Sequence, residues 1–167
     1  MGDFGSSRGL IHSLEADGTA VANSTVQTAL ATAKTIGAGS FMEGEVIRVT
    51  LDAIYGSTGT PNLTFIGRLG GLDIISSGAL AAGGAGGRVE IVWEFTVRST
   101  GALGTVLPKL KTTSNIAALN ALAIGATPVT VNQTLDRDLD ITVTISVADA
   151  LNTITAFQFF VEFLKSK

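Results

Sequence analysis

The chain contains no cysteine and a single histidine, and it is poor in aromatic residues (6%) and in charge (15%). Without cysteine there can be no disulfide and no thiolate metal site. At 167 residues one domain can bury a sufficient core without such staples. The lone His12 lies in a Gly- and Ser-rich stretch, where nothing rigid is expected to orient it as a general base. The 11 Lys and Arg are scattered and outnumbered by 14 Asp and Glu, for a net charge of -3. A phosphate-binding stripe is therefore missing, and no nucleic-acid partner is expected. Long apolar runs are missing too. The longest charge-free stretch, residues 112–135, is interrupted by Ser114, Asn115, Asn120, Pro128, Asn132 and Gln133, so no membrane span is expected. The first ten residues carry no apolar segment of the kind a secretory signal needs.

Charge is scarce against the quarter or so usual in globular domains, and mean hydropathy is positive. Such a chain cannot cover its outside with charge. Part of its surface is expected to be buried against other chains, because large apolar patches mark interfaces.

What the sequence does have is a period of two. Ile47, Val49 and Leu51 alternate with Arg48, Thr50 and Asp52. Val89, Ile91, Trp93, Phe95 and Val97 alternate with Glu90, Glu94, Thr96 and Arg98, and Val92 breaks the pattern. Leu139, Ile141, Val143, Ile145 and Val147 alternate with Asp140, Thr142, Thr144 and Ser146. These are half-buried antiparallel strands. Further strands are expected from Val26 to Thr32, at Leu63, Phe65 and Leu69, over residues 72–76, over residues 105–112 and from Val129. Turns are signalled at residues 56–61 and by the glycines between Ala81 and Gly87. Residues 115–124 are ambiguous, because Ile116, Leu119, Leu122 and Ala123 fit a short helix. In the last strand, residues 152–164, Ile154 is out of phase with Phe157, Phe159, Val161 and Phe163. A β-bulge near residues 155–157 or burial of both faces would account for the slip. The expected fold is all-β: an antiparallel β-sandwich or jelly roll of eight or nine strands over residues 19–167. Residues 1–18 form an irregular arm, either disordered or ordered on a neighbouring subunit.

Candidate chemistry is sparse. Asp136, Asp138 and Asp140 form a D-x-D-x-D run that could bind calcium, but Ile141 stands where the loop motif needs Gly and Val147 where it needs an acid. A solvated turn entering a strand is the alternative. Glu43 and Glu45 flank Gly44 in a turn. Glu90 and Glu94 share one strand face about 13 Å apart, too far for the carboxylate pair of a glycosidase. The run Gly83, Gly84, Gly86 and Gly87 precedes a strand and lacks the Lys-Ser/Thr of a phosphate loop. Trp93 is in register with Ile91 and Phe95 and is expected in the core rather than on a sugar platform. Tyr55 ends a strand and could be exposed. The sequons at Asn23, Asn62 and Asn132 are chance products of Thr-rich strands. With no nucleophile–base or metal constellation, no catalytic residue, cofactor or metal is assigned and an enzyme is not expected.

Two stretches carry a likeness. In residues 19–49 an Asn23-Ser24-Thr25 start leads to a Thr-rich strand, an Ile36-to-Ser40 turn and a Gly44-Glu45 step into an apolar strand. In residues 134–164 a Leu139-Asp140-Ile141-Thr142-Val143 strand is followed, after the place where the class has an Ala/Ser/Asn turn, by an Asn152-Thr153-Ile154 strand. Both resemble the jelly-roll virion proteins of tailed bacteriophages, although that class has Trp in the penultimate strand, which ends here at Val147. The resemblance implies a structural protein on the capsid surface. Its foremost form is a decoration (cement) protein that binds the major capsid protein and copies of itself, as a homo-oligomer and foremost a homotrimer. A head- or tail-fibre receptor binder, with its site at the loop tips of residues 56–61 or 78–87, and a jelly-roll capsid protein are the alternatives.

Overall fold

The computed structural model describes residues 9–13, 17–84 and 86–164. Among them are thirteen strands and one turn of 3-10 helix. The strands are β1 (Gly9–Ser13), β2 (Val21–Ala22), β3 (Thr28–Ala29), β4 (Lys34–Ile36), β5 (Val46–Gly56), β6 (Asn62–Leu69) and β7 (Leu72–Ala81). They continue with β8 (Gly87–Ser99), β9 (Thr105–Ser114), β10 (Ala121–Ile124), β11 (Val129–Thr130), β12 (Arg137–Ile145) and β13 (Thr153–Leu164). The fold is all-β, as the alternation predicts. Seven strands have eight residues or more, and six have only two to five, which is why periodicity alone suggests eight or nine.

Two antiparallel sheets make the sandwich. The larger runs β1-β13-β5-β8-β9-β10, with β2 and β11 pairing onto β13 and β9. The smaller runs β3-β12-β6-β7, with β4 on β12. Long strands form where apolar and polar residues alternate without a break. Each such strand buries one face against the opposite sheet and leaves the other to solvent. From the larger sheet Ile47, Val49, Leu51, Val89, Ile91, Trp93, Phe95, Leu110, Phe159 and Val161 point inward. From the smaller, Leu63, Phe65, Leu69, Leu139, Ile141, Val143 and Ile145 meet them, all with at most 2% of their surface exposed. Each side chain of this size contributes about 1.5–3 kcal/mol by leaving water. Phe41 packs edge-on against Phe95 with ring centroids 6.1 Å apart.

Trp93 fills the middle of this core, as expected. Its indole lies flat on the backbone of the facing strand at Gly67: a Cβ on that glycine would come within 2.6 Å of Trp93 Cδ2. β7, an edge strand of the smaller sheet, pairs with β6 through register shifts beside Ile66 and Gly67. Such bulges twist an edge away from further pairing.

Three local features differ from the sequence reading. In the segment read as an irregular arm, β1 pairs with β13, Gly9 opposite Phe163 and Ser13 opposite Phe160. The rest of that arm before residue 17 lies outside the described residues. Between Val26 and Thr32 only Thr28–Ala29 is strand. The Ser24 hydroxyl accepts from Val26 N–H at 3.1 Å and Thr28 Oγ1 donates to Val26 O at 2.9 Å. These local bonds turn the backbone out of the ladder, so Val26 is exposed while Leu30 is buried. The ambiguous stretch resolves into a single 3-10 turn, Ala117–Leu119, followed by β10. Meanwhile the register of β13 on β5 shifts between Ala156 and Gln158, which makes Phe157 the extra residue of a bulge. Ile154, Ala156, Phe159 and Val161 thereby all face the core.

Candidate interaction surface

The outer face of the larger sheet is spanned by six strands in one hydrogen-bonded path. Cross-strand register lays its side chains in rows. One row crosses all six strands: Leu10, Glu162, Arg48, Glu94, Lys109 and Ile124 are successive partners on β1, β13, β5, β8, β9 and β10. The next holds Ser13, Phe160, Thr50, Val92, Lys111 and Leu122. On one side of this pair of rows lie Leu164, Val46, Thr96 and Leu107, and on the other Gln158, Asp52, Glu90 and Thr113. Charged and half-exposed apolar side chains are thus interleaved on one broad face.

Glu94 is the hub of the charged row. Arg48 Nε and Nη2 both approach Glu94 Oε1 at 2.6 Å, and Lys109 Nζ lies 3.4 Å from Oε2. Burial alone would raise the Glu94 pKa. The Arg48 hydrogen bond and the charges of Arg48 and Lys109 outweigh it and hold the carboxyl below its ordinary value. Glu162 and Lys111 make no hydrogen bond or ion pair among the described residues. A shallow depression of about 330 Å³ lies over Arg48, Thr50, Val92, Lys109, Lys111 and Glu162.

Beside it a second depression of about 380 Å³ is bounded by Asp52, Arg88, Glu90, Thr113, Ser114 and Asn115. Arg88 stands at its rim, 3.2 Å from Asp52 and with its guanidinium 4.6 Å from the centre of the Phe157 ring, a cation–π contact. Phe157 reaches this place only because the bulge turns it outward. Asp52 and Glu90 are direct cross-strand partners, a like-charge pair that is unfavourable without a counter-charge. Arg88 supplies one.

The residues singled out from sequence fall in different places. Asp136, Asp138 and Asp140 do not converge. Asp136 accepts from Ala38 N–H at 2.8 Å and Asp138 from the Thr35 hydroxyl at 2.6 Å, so two of the three pin neighbouring chain. Asp140 lies opposite Arg68 on the outer face of the smaller sheet. Its Oδ1 is buried without a hydrogen-bond partner. Burial raises its pKa, the neighbouring Asp138 and Asp73 add to the rise, and Arg68 opposes it. Among the described residues no group of three His, Asp or Glu is placed to hold a metal ion.

Glu43 is exposed while Glu45 is buried, and Glu94 is engaged by Arg48 whereas Glu90 faces Asp52. None of these carboxylates forms a pair across a cleft. His12 takes a strand position opposite Val161, and its imidazole lies outside the described residues. Tyr55 is not exposed. The residue is only 2% exposed and its hydroxyl makes no well-formed hydrogen bond. Burial raises its pKa, with the Ser114 side chain opposing.

In the glycine run, Gly86 and Gly87 are required by close approach to neighbouring chain. A Cβ on Gly86 would stand 2.6 Å from Tyr55 O, and one on Gly87 would stand 2.9 Å from the Tyr55 hydroxyl oxygen. The two loop tips are joined by Ser57 Oγ donating to Gly83 O at 2.6 Å. The buried Asn152 accepts from Thr58 N–H at 2.7 Å and donates to Val147 O at 3.2 Å. No helix among the described residues is long and apolar enough to cross a membrane. The outer-face rows escape a reading of single strands, because they exist only once six strands are in register. No family model, curated protein or solved structure matches this chain.

Proposed function

We propose that this chain is a structural protein of a tailed-bacteriophage virion: a decoration protein that binds the outside of the head and stabilises it through oligomeric, non-covalent contacts. The observation that carries the reading is the outer face of the larger sheet. It is a rigid platform of long strands on which half-exposed Val46, Val92, Leu107, Phe160 and Leu164 surround the Arg48–Glu94–Lys109 network. An apolar surface threaded with fixed charge suits protein–protein contact, where charge sets partner and orientation and apolar burial holds the complex. Large exposed apolar side chains elsewhere, among them Leu103, Leu135 and Leu151, fit a particle that touches several neighbours. Several modest contacts made by an oligomer multiply into tight attachment. The likeness of residues 19–49 and 134–164 to jelly-roll virion proteins points the same way.

The partner in this reading is the lattice of the major capsid protein. The test is to mix the purified chain with phage heads stripped of their accessory proteins. Saturable cosedimentation, with heads that withstand higher temperature or osmotic shock, is the expected result. Heads that neither bind the chain nor gain strength would refute the reading. Glycan binding abolished by changes at residues 56–61 would move it to a receptor-binding fibre.

A further inference from the structure

We propose that the outer face of the larger sheet is self-complementary and takes a second copy of this chain, packed sheet on sheet about a two-fold axis. The axis runs along the strands, between β5 and β8. Such an axis reverses the order of strands in the facing copy, so β13 lies over β9 and β5 over β8. Along the charged row the signs read negative, positive, negative, positive from Glu162 through Arg48 and Glu94 to Lys109. Reversed upon itself, this order sets Glu162 against Lys109 and Arg48 against Glu94, opposite charges at every step. The same operation brings together the ends of the row, Leu10 and Ile124, which are 58% and 68% exposed in the single chain.

The flanking rows agree. Leu164 meets Leu107 and Val46 meets Thr96 on one side. On the other, Phe160 meets the stem and ammonium of Lys111, and Thr50 meets Val92. One row is discordant: it sets Asp52 against Glu90. That row lies about 13 Å along the strands from the charged row, and Arg88 already neutralises its Asp52. The contact is therefore centred on the other three rows.

A foreign partner would impose no relation between residues on opposite sides of the β5–β8 boundary. Charge that is complementary to its own reversal is what an isologous interface requires, and the exposed Leu10 and Ile124 at the ends of the row are not accounted for by the ion pairs within the sheet. Six strands and three rows give a footprint on the order of 600 Å² before side-chain relief, close to the ~800 Å² per partner of a standard-size interface. A cyclic trimer would need a heterologous contact and cannot be closed by this face. The inference gives this face to a second copy, so in a dimer the head would be met by other surfaces, such as those bearing the exposed Leu103, Leu135 and Leu151; dimerisation is a property of the purified chain, whether or not it attaches to heads.

Sedimentation velocity on the purified full chain, over about 1–100 µM, tests it. The wild type is expected to run as a dimer in the upper part of that range. Val92→Arg places an uncompensated charge beside the axis on an outward-facing position. It is expected to weaken the dimer at least about tenfold while circular dichroism and thermal unfolding stay those of the wild type. Glu162→Lys and Lys109→Glu each set like charges face to face and are expected to weaken it by a similar factor. Combined, they restore opposite signs and are expected to bring the association back to within about threefold of wild type. A wild type that stays monomeric throughout, a trimer, or a dimer indifferent to Val92→Arg overturns the proposal. So does a double swap no better than the single ones. Attachment to heads by a monomeric chain would sink this interface and leave the decoration reading standing.

Discussion

Replacing Gly67 with alanine tests the centre of the sandwich by the smallest possible addition. The new methyl carbon would stand 2.6, 2.7 and 2.8 Å from Trp93 Cδ2, Cγ and Cε2, against about 3.5–4.0 Å for carbon atoms at ease. Trp93 has no room to withdraw: it is 0% exposed and its ring lies 5.2 Å from that of Phe95. Overpacking of this kind costs about 1–3 kcal/mol. Alanine recovers about 0.4–1 kcal/mol by restricting the unfolded chain, so a net loss of about 1–2 kcal/mol is expected. For a chain of this length that corresponds to a fall of about 2–8 °C in Tm. Trp93 is the one tryptophan in the sequence, so its emission reports on this contact directly, and urea unfolding followed by circular dichroism gives the free energy. Trp93→Phe keeps ring carbons at Cγ and Cδ, but the smaller ring has room to shift off Gly67, and the change removes an indole N–H that is buried without a partner. In a double-mutant cycle the Gly67→Ala loss should therefore shrink by about 1 kcal/mol in the Trp93→Phe background. A Gly67→Ala protein as stable as the wild type, with unchanged emission, would show that the indole does not lie on this glycine.

Two further outcomes follow from buried polar groups. Asn152→Ala leaves Thr58 N–H and Val147 O without their partners and should cost about 1–3 kcal/mol, read as a lower urea midpoint, together with faster proteolysis between residues 56 and 61. Asp140 has a native pKa above its unfolded one, so the folded state binds the proton more tightly and stability falls as pH rises between the two values. Asp140→Asn should therefore be more stable than wild type near neutral pH. The advantage should vanish below the ordinary aspartate range, where both states carry the proton. Urea midpoints that differ equally at acid and neutral pH would refute this assignment.

The long strands were legible because alternation encodes them directly. Val89, Ile91, Trp93, Phe95 and Val97 are all at most 1% exposed, as their spacing predicts. The slip in the last strand was visible too, and of its two explanations the bulge at Phe157 is what the register displays. The side chain that turns outward is Phe157 itself, not Ile154, because the extra residue is absorbed between Ala156 and Gln158. The short strands β2 and β4 were not legible, and of the strands expected over Val26 to Thr32 and from Val129 only two residues each, β3 and β11, join a ladder. Two or three residues have no periodicity, and they pair only because β13, β12 and β9 offer them an edge. The Asp136–Asp140 run has a spacing that could hold calcium although the loop motif fails, and spacing says nothing of partners: in the fold Ala38 and Thr35 take up two of its carboxylates. The charged row was beyond reach for a similar reason. Leu10 and Ile124 are far apart in the chain and share a row only through the strands that lie between β1 and β10.

The strand β13 does not sit at the border of its sheet. It is flanked by β5 on one side and by β1 and β2 on the other, and of the thirteen strands it is the last to be synthesised. While the ribosome is still adding residues 153–164, β5 has one open ladder and the N-terminal strands have no seat at all. Until β13 is made, the slot between β5 and the strands β1 and β2 is unfilled and the larger sheet cannot be completed. Until then a β13 from a neighbouring chain fits the slot as well as its own, so crowded polysomes are where exchange of this strand between copies should be looked for.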